Sequence, residues 1–248
     1  MDNIYLFQQF YIPNNNLRYN ETKYCLNKNL LNDKIKKIYL LNEKIYTNSE
    51  MGLPVTNNKI EQINLGKRLM FSDVFKFVID NNINGYIILS NSDIYYDNTL
   101  NNIYKIQLKK HRIALCQSRT ELKTNLYKIK QYRGYSQDTW IYHSNNKIND
   151  LKDFDFNFGV IRCDGNMAHR LNKNKFKLYN FPNLIKCIHV HREFKRNSAL
   201  RNSKIKNTNS LSVQPKYFYN KNEMKIIKNK IKKIIYIKNK LKYKQKYL

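Results

Sequence analysis

Short apolar runs alternate with helix-spaced segments along most of this chain, and that alternation confines it to few architectures. "IYLFQQFYI" (4–12), stopped by "PNNN", reads as a first strand. "ETKYCLNKNLLND" (21–33) sets Tyr24, Leu26, Leu30 and Leu31 at helical spacing, and "KIKKIYLLN" (34–42) returns as a second strand. The polar residues 43–58, with Gly52 and Pro54, predict a loop before the alternating strand "KIEQINL" (59–65). "RLMFSDVFKFVIDNN" (68–82) puts Leu69, Phe71, Val74, Phe75, Val78 and Ile79 on one side of a helical wheel. "GYIILS" (85–90) suits a central strand, and from Asp97 onward Leu100, Ile103, Tyr104 and Leu108 predict a helix. "RIALCQ" (112–117) and "TWIYH" (139–143) predict buried strands, "GNMAHRLNKNKF" (165–176) a helix and "LIKCIHVHR" (184–192) a last strand. Strand and helix in turn at these lengths predict an α/β, Rossmann-like domain: a mixed, mostly parallel sheet flanked by helices. In such sheets the working site lies outside the carboxyl ends of the strands.

Length and charge divide the chain. Its 248 residues suit one large domain with an appendage, and 42% hydrophobic residues are enough for a sizeable core. The net charge of +28 is uneven. Residues 195–248 hold 17 Lys or Arg against one acid, Glu223, whereas residues 1–194 hold 29 basic and 17 acidic side chains. The expected organisation is therefore a catalytic-sized domain over 1–194 and a basic loop and helical tail over 195–248. In the tail, Met224, Ile227, Ile231 and Ile234 keep amphipathic spacing before Lys238. Basic stretches favour nucleic acid or anionic membrane; a general enrichment in Lys, Asn, Ile and Tyr, as from an AT-rich coding sequence, explains the same charge. "MDNIYLFQQFYIP" has no basic lead and cleavage site, and no apolar run reaches the ~18 residues of a membrane span. The expectation is a cytoplasmic protein, peripheral to a membrane if the tail docks there. Cys25, Cys116, Cys163 and Cys187 stand singly, which predicts buried, reduced thiols.

One stretch breaks the basic pattern. "YIILSNSDIYYD" (86–97) carries an apolar strand straight into Asn91, Ser92, Asp93 and Asp97. Carboxylates on a rigid strand end suit a hard cation such as Mn²⁺ or Mg²⁺, which takes oxygen ligands and neutralises a diphosphate. Asp93 is the expected main ligand, with Asn91 offering a carbonyl oxygen; Asp97 is better explained as a helix cap. The competing explanation for Asp93 is a turn.

His189 and His191, two apart on a strand, project from one face, and either could complete a cation site. Cys187 shares that face, so a zinc site enters consideration, although a fourth ligand with convincing spacing is missing; a histidine simply hydrogen-bonded in the structure is the plainer alternative. Asp138, just before a strand and two residues from the only tryptophan, could deprotonate an acceptor hydroxyl or cap a turn. Asp164 stands at a helix start, where N-capping is the default, and Asn166 close by could reach a sugar hydroxyl.

These pieces form an ordered set: "LLNE" (40–43), "INLGKRLMFSDVFKFV" (63–78), "NSDIYYD" (91–97), "ALCQSR" (114–119), "SQDTW" (136–140), "FNFGVIRCDGN" (156–166) and "HVHR" (189–192). As a set spanning roughly residues 3 to 196, it resembles GT-A-fold glycosyltransferase-like proteins of bacteria and large DNA viruses, in the manner of glycosyltransferase family 2. The resemblance implies a GT-A-like sheet and transfer of a sugar from a nucleotide-diphosphate donor to a glycan, protein or lipid-linked hydroxyl. It further implies a Mn²⁺ or Mg²⁺ cofactor held by Asp93 with His189 or His191, and Asp138 as acceptor-side base. Arg68 and Arg119 become candidates for the donor phosphates, since a guanidinium forks onto phosphate oxygens; Asn91, Asp164 and Asn166 complete the donor-side set. The chain departs from the pattern in having "RCDG" (162–165) for "GCDN", and Asn91 leaves the cation site one charge lighter than a full Asp-x-Asp pair. The alternative is a basic binding protein without catalytic activity. Nucleic acid is its less favoured partner, because the aromatics mostly sit in apolar runs rather than among lysines.

Overall fold

The computed structural model describes residues 1–55, 57–123, 126–127, 136–190 and 209–214. In order, they form β1 (Asn3–Gln8), α1 (Asn16–Leu31), β2 (Ile35–Asn42), α2 (Asn48–Met51), β3 (Ile60–Asn64), α3 (Phe71–Asp80), β4 (Gly85–Ser90) and β5 (Ile94–Tyr96). Then come α4 (Leu108–His111), β6 (Ile113–Lys123), β7 (Leu126–Tyr127), β8 (Gln137–His143), α5 (Cys163–Lys173), β9 (Lys177–Tyr179) and β10 (Cys187–Val190). The sheet runs β3-β2-β1-β4-β8-β6-β10-β5, with β7 and β9 also paired to β6. β1 pairs in parallel with β2 and β4, β2 with β3, and β6 with β9 and β10. β8 runs antiparallel to both β4 and β6, and β5 to β10. This is the mixed, mostly parallel sheet that the alternation predicts. Because β8 is reversed, its first residues lie beside the carboxyl ends of β4 and β6.

Periodicity fixes which residues face inward. Phe7, Tyr39, Leu41, Ile87, Leu89, Trp140 and Tyr142 share one sheet face, and α3 and α5 cover it with Phe71, Val74, Phe75, Met167 and Leu171. Phe71 anchors the layer, stacked on Phe158 and edge-on to Trp140. The helix starts at Phe71, so Leu69 belongs to the approach, and Ile79 is 50% exposed rather than buried.

The segment after Asp97 differs from the α-helix its spacing suggests: Asn98–Lys105 is a 3-10 helix. Its buried Leu100 and Ile103 are three apart, the period of that tighter helix. Asp97 does cap it, accepting from the Thr99 amide at 2.9 Å. β5 and β9 are too short to leave a periodic signal. At β5 side chains stand in for a neighbouring strand: Asn29 Nδ2 donates to the Ile94 carbonyl, Asn29 Oδ1 accepts from the Tyr96 amide, and Asn32 Nδ2 donates to the Tyr96 carbonyl.

Residues 209–214, which the sequence reading places in the tail, lie against α5. The Leu211 amide donates to the Gly165 carbonyl, and Val213 is buried. A Cβ on Gly165 would meet Ser210 Oγ at 1.9 Å, so a side chain there would force that serine to move. The amphipathic stretch 221–243 lies outside the described residues.

Candidate functional site

The carboxyl ends of β4, β6 and β10 and the start of β8 bring together side chains far apart in sequence. After β4 the chain turns through Asn91 and Ser92. The Asn91 carbonyl accepts from the Ile94 amide at 3.2 Å and from Gln8 Nε2, at the end of β1, at 2.7 Å. This sets Asp93 on the inner side of the turn, and the Val190 amide, donating to the Asp93 carbonyl at 3.0 Å, ties it to the end of β10. Asp93 is buried at 6% exposure.

Asp93 starts a continuous line of charges. Its Oδ2 accepts from Arg18 Nη2 at 2.6 Å and stands 2.9 Å from His189 Nε2. His189 Nδ1 is 2.7 Å from Glu121 Oε2, because β10 and β6 pair His189 with Glu121 in register. Arg119, on the same face of β6, donates from Nε to Glu121 Oε1 and from Nη1 to Asp138 Oδ2, each at 2.8 Å. Asn91 Nδ2 donates to Asp138 Oδ1 at 2.8 Å and closes the line on the turn where it began. On the outer flank, Arg18 Nη1 pairs with Glu21 at 3.2 Å.

The neighbours set the protonation states. Burial pushes the Asp93 carboxyl up, but His189 and Arg18 outweigh it and hold the group well below the usual carboxylate range. Burial likewise opposes charge on His189, yet Asp93 and Glu121 overcome it and raise the imidazole to about 9. Glu121, opposed by burial and favoured by His189 and Arg119, falls to about 2. Within this network Asp93 Oδ1 is buried with no hydrogen-bond partner among the described residues.

The expected residues thus divide. Asn91, Asp93, Arg119, Asp138 and His189 meet in one network. Asp164 lies close enough to Asp138 to feel its charge; burial first, and then that neighbour, raise its carboxyl. It sits in the first turn of α5 and accepts from the Gly165 amide, while the capping position itself is Arg162. Asn166 is buried in the same helix, its Oδ1 taken by Arg170 and its Nδ2 without a partner among the described residues. Arg68 is exposed and donates to the Phe158 carbonyl at 2.7 Å, outside the network. His191 lies outside the described residues. The zinc alternative gains no support: among the described residues no group of three His, Cys, Asp or Glu side chains could hold a metal ion.

Arg18 and Glu121 escape sequence reasoning. The one signal for Glu121 is its two-residue spacing from Arg119, on a strand whose apolar run stops at Gln117. Arg162, the departure within "RCDG", adopts φ 74°, a left-handed conformation that favours glycine.

The sheet order, the flanking helices and a site at the carboxyl strand ends define a GT-A-like fold. Among solved structures, the chain is similar to GalNAc-T7 with UDP, GalNAc and Mn²⁺, at 10% identity and TM-score 0.52, over 77% of this chain and 44% of that one. It is also similar to residues 1–349 of S. aureus TarS in complex with UDP-GlcNAc, at 13% identity and TM-score 0.47, over 83% of this chain and 62% of that one. The chain therefore spans less than two thirds of either neighbour. No model of a known protein family matches it, and no curated protein does.

Proposed function

We propose that the protein is a glycosyltransferase that moves a sugar from a nucleoside-diphosphate donor to a hydroxyl acceptor, with a divalent cation at Asp93 and His189. The observation that carries this reading is the convergence of Asp93 and His189 at the carboxyl end of the sheet, in a fold shared with a UDP- and Mn²⁺-bearing neighbour.

The residues present fit a cation. Asp93 Oδ1 is a buried anionic oxygen without a hydrogen-bond partner among the described residues. His189 gives its other ring nitrogen to Glu121, the arrangement that orients an imidazole ligand. The 2.9 Å between His189 Nε2 and Asp93 Oδ2 suits a shared proton. It equally suits two adjacent ligands on one ion, which stand roughly 3 Å apart when the bonds are about 2.1 Å. Among the described residues no group of three His, Cys, Asp or Glu side chains could hold a metal ion. The chain would thus supply two ligands and the diphosphate oxygens the remainder, the usual division for Mg²⁺ with nucleotides. A bound cation would supply charge neutralisation at the departing diphosphate.

In this reading Asp138 accepts the proton of the acceptor hydroxyl. Arg119 and Asn91 each hold one of its oxygens, so the carboxylate is oriented rather than free to rotate. Asp164, close enough to Asp138 to feel its charge, and Arg68, held on the Phe158 carbonyl, are the further donor-side candidates. The membrane-docking role for the basic tail rests on charge alone; no described helix is long and apolar enough to cross a membrane.

The test is thermal shift and calorimetry with a panel of UDP- and GDP-sugars plus Mn²⁺. A ligand at one hundred times its Kd stabilises by about 2.7 kcal/mol. The expected result is stabilisation of wild type by at least one donor, loss of that response in Asp93→Ala, and a retained response in Asp138→Asn with turnover reduced roughly 10²–10⁴-fold. Silence of wild type toward every donor, or an undiminished response in Asp93→Ala, overturns it.

A further inference from the structure

Arg18 is the one strong cation in the network that no catalytic reading uses. It stands in the first turn of α1, where the Asn15 side chain caps the helix by accepting from the Arg18 amide at 3.1 Å. Its guanidinium reaches across to Asp93 Oδ2, at 2.6 Å the shortest contact that carboxylate makes. A second nitrogen is held by Glu21. The Arg18 side chain as a whole is 27% exposed, whereas those of Asp93 and Glu21 are nearly closed off. The anions are fixed and walled in, and the cation is the member with room to turn.

A divalent ion ligated by Asp93 and a guanidinium on the same carboxylate crowd three positive charges onto one anionic group, and Glu21 offsets only the guanidinium. A nucleoside diphosphate removes the conflict, because its oxygens ligate the ion and also accept a guanidinium fork.

We propose that Arg18 is an internal counter-cation that occupies Asp93 until a nucleoside diphosphate arrives with the divalent ion, and then turns onto the diphosphate. This inference rests on the glycosyltransferase reading of the same site and adds a condition to it. Arg18 suppresses binding of the ion alone and makes ion and diphosphate bind as a pair, so the site selects nucleoside diphosphates over monophosphates.

The experiment measures Mn²⁺ binding by electron paramagnetic resonance and UDP and UMP binding by calorimetry, on full-length wild type, Arg18→Gln and Arg18→Lys. Circular dichroism and thermal melts confirm that each is folded. In wild type, UDP is expected to raise Mn²⁺ affinity by a factor within the roughly 5–150-fold range usual for coupled sites. In Arg18→Gln, Mn²⁺ alone should bind roughly tenfold more tightly, UDP in the presence of Mn²⁺ roughly tenfold more weakly, and the preference for UDP over UMP should shrink. Arg18→Lys, which keeps the charge but not the fork, should retain the suppression of Mn²⁺ alone while losing part of the UDP affinity. A residue that merely braces the fold would weaken both ligands together, and that result overturns the proposal; so does Arg18→Gln behaving as wild type. Wild type that binds neither Mn²⁺ nor UDP defeats the glycosyltransferase reading itself, a different outcome from either.

Discussion

Among the described residues two histidines are buried against aspartates, one at each end of the sheet, and they sit in opposite charge states. His143, on β8 and fully buried, has Asp2 at 2.8 Å from Nε2, while its Nδ1 accepts from the Asn145 amide at 3.2 Å. A ring nitrogen that accepts a backbone N–H carries no proton, so this imidazole is neutral, and burial lowers its pKa. His189 faces a carboxylate at each nitrogen, Asp93 and Glu121, so both nitrogens are donors and the ring is charged. Burial opposes charge at both sites. The decisive difference is one backbone amide in place of one carboxylate, and the cationic ring lies at the end of the sheet where parallel α/β folds place their ligands.

The largest effect that would break this contrast is expected from neutralising the aspartates. Asp93→Asn removes the carboxylate between an imidazolium and a guanidinium and leaves each with one anionic partner, Glu121 and Glu21, which costs about 3 kcal/mol in urea unfolding of the metal-free protein. Asp2 is 45% exposed at its side chain, so Asp2→Asn should cost less than about 1 kcal/mol. Equal losses would mean that the two pairs are alike after all.

A middle-sized effect comes from pH. The folded pKa of His189, about 9, lies above its unfolded value, so its contribution is complete below pH ~6.5 and is lost as pH rises through 9. That amounts to up to about 3 kcal/mol. His143 is shifted the other way: its contribution is complete above pH ~6.5 and is lost as pH falls through its lowered pKa. Metal-free wild type should therefore lose stability between pH 6.5 and 9, and His189→Gln should not. Imidazole NMR at pH 7.5 should show one charged and one neutral ring at these two positions, and two neutral rings would refute the assignment.

The smallest effect sharpens the boundary of the site. Arg162 holds a left-handed backbone at the start of α5 with no side-chain cap. Arg162→Gly should raise thermal stability by up to about 1 kcal/mol and leave both histidines unchanged.

Much of this contrast is readable in the chain before it folds, and the gaps have physical causes. β4 is legible as an apolar run with every residue buried, so the acidic turn after it stands out. His189 follows from the alternation of "CIHV". Glu121 is hidden because β6 continues through "SRTELK", a polar stretch held as strand by β8 and then β10 rather than by its own side chains. Arg18 is hidden because it reaches the site from a helix across 75 residues of sequence, and no local period reports such an approach. Asp138 looks like a turn residue from sequence. Only the reversed direction of β8 brings it among the strand ends.

The asparagine pegs on β5 have a consequence for timing. Asn29 and Asn32 fasten the far end of α1 to that strand, and the ammonium of Lys59 binds the carbonyls of Asn29, Leu30 and Asn32. The helix that carries Arg18 is thereby moored at its tail, with its first turn capped. Any change of partner by that guanidinium is then a rotation about side-chain bonds, its pace set by release from Asp93 and Glu21. Ligand entry would proceed at the strand ends without waiting for a segment of backbone to rearrange.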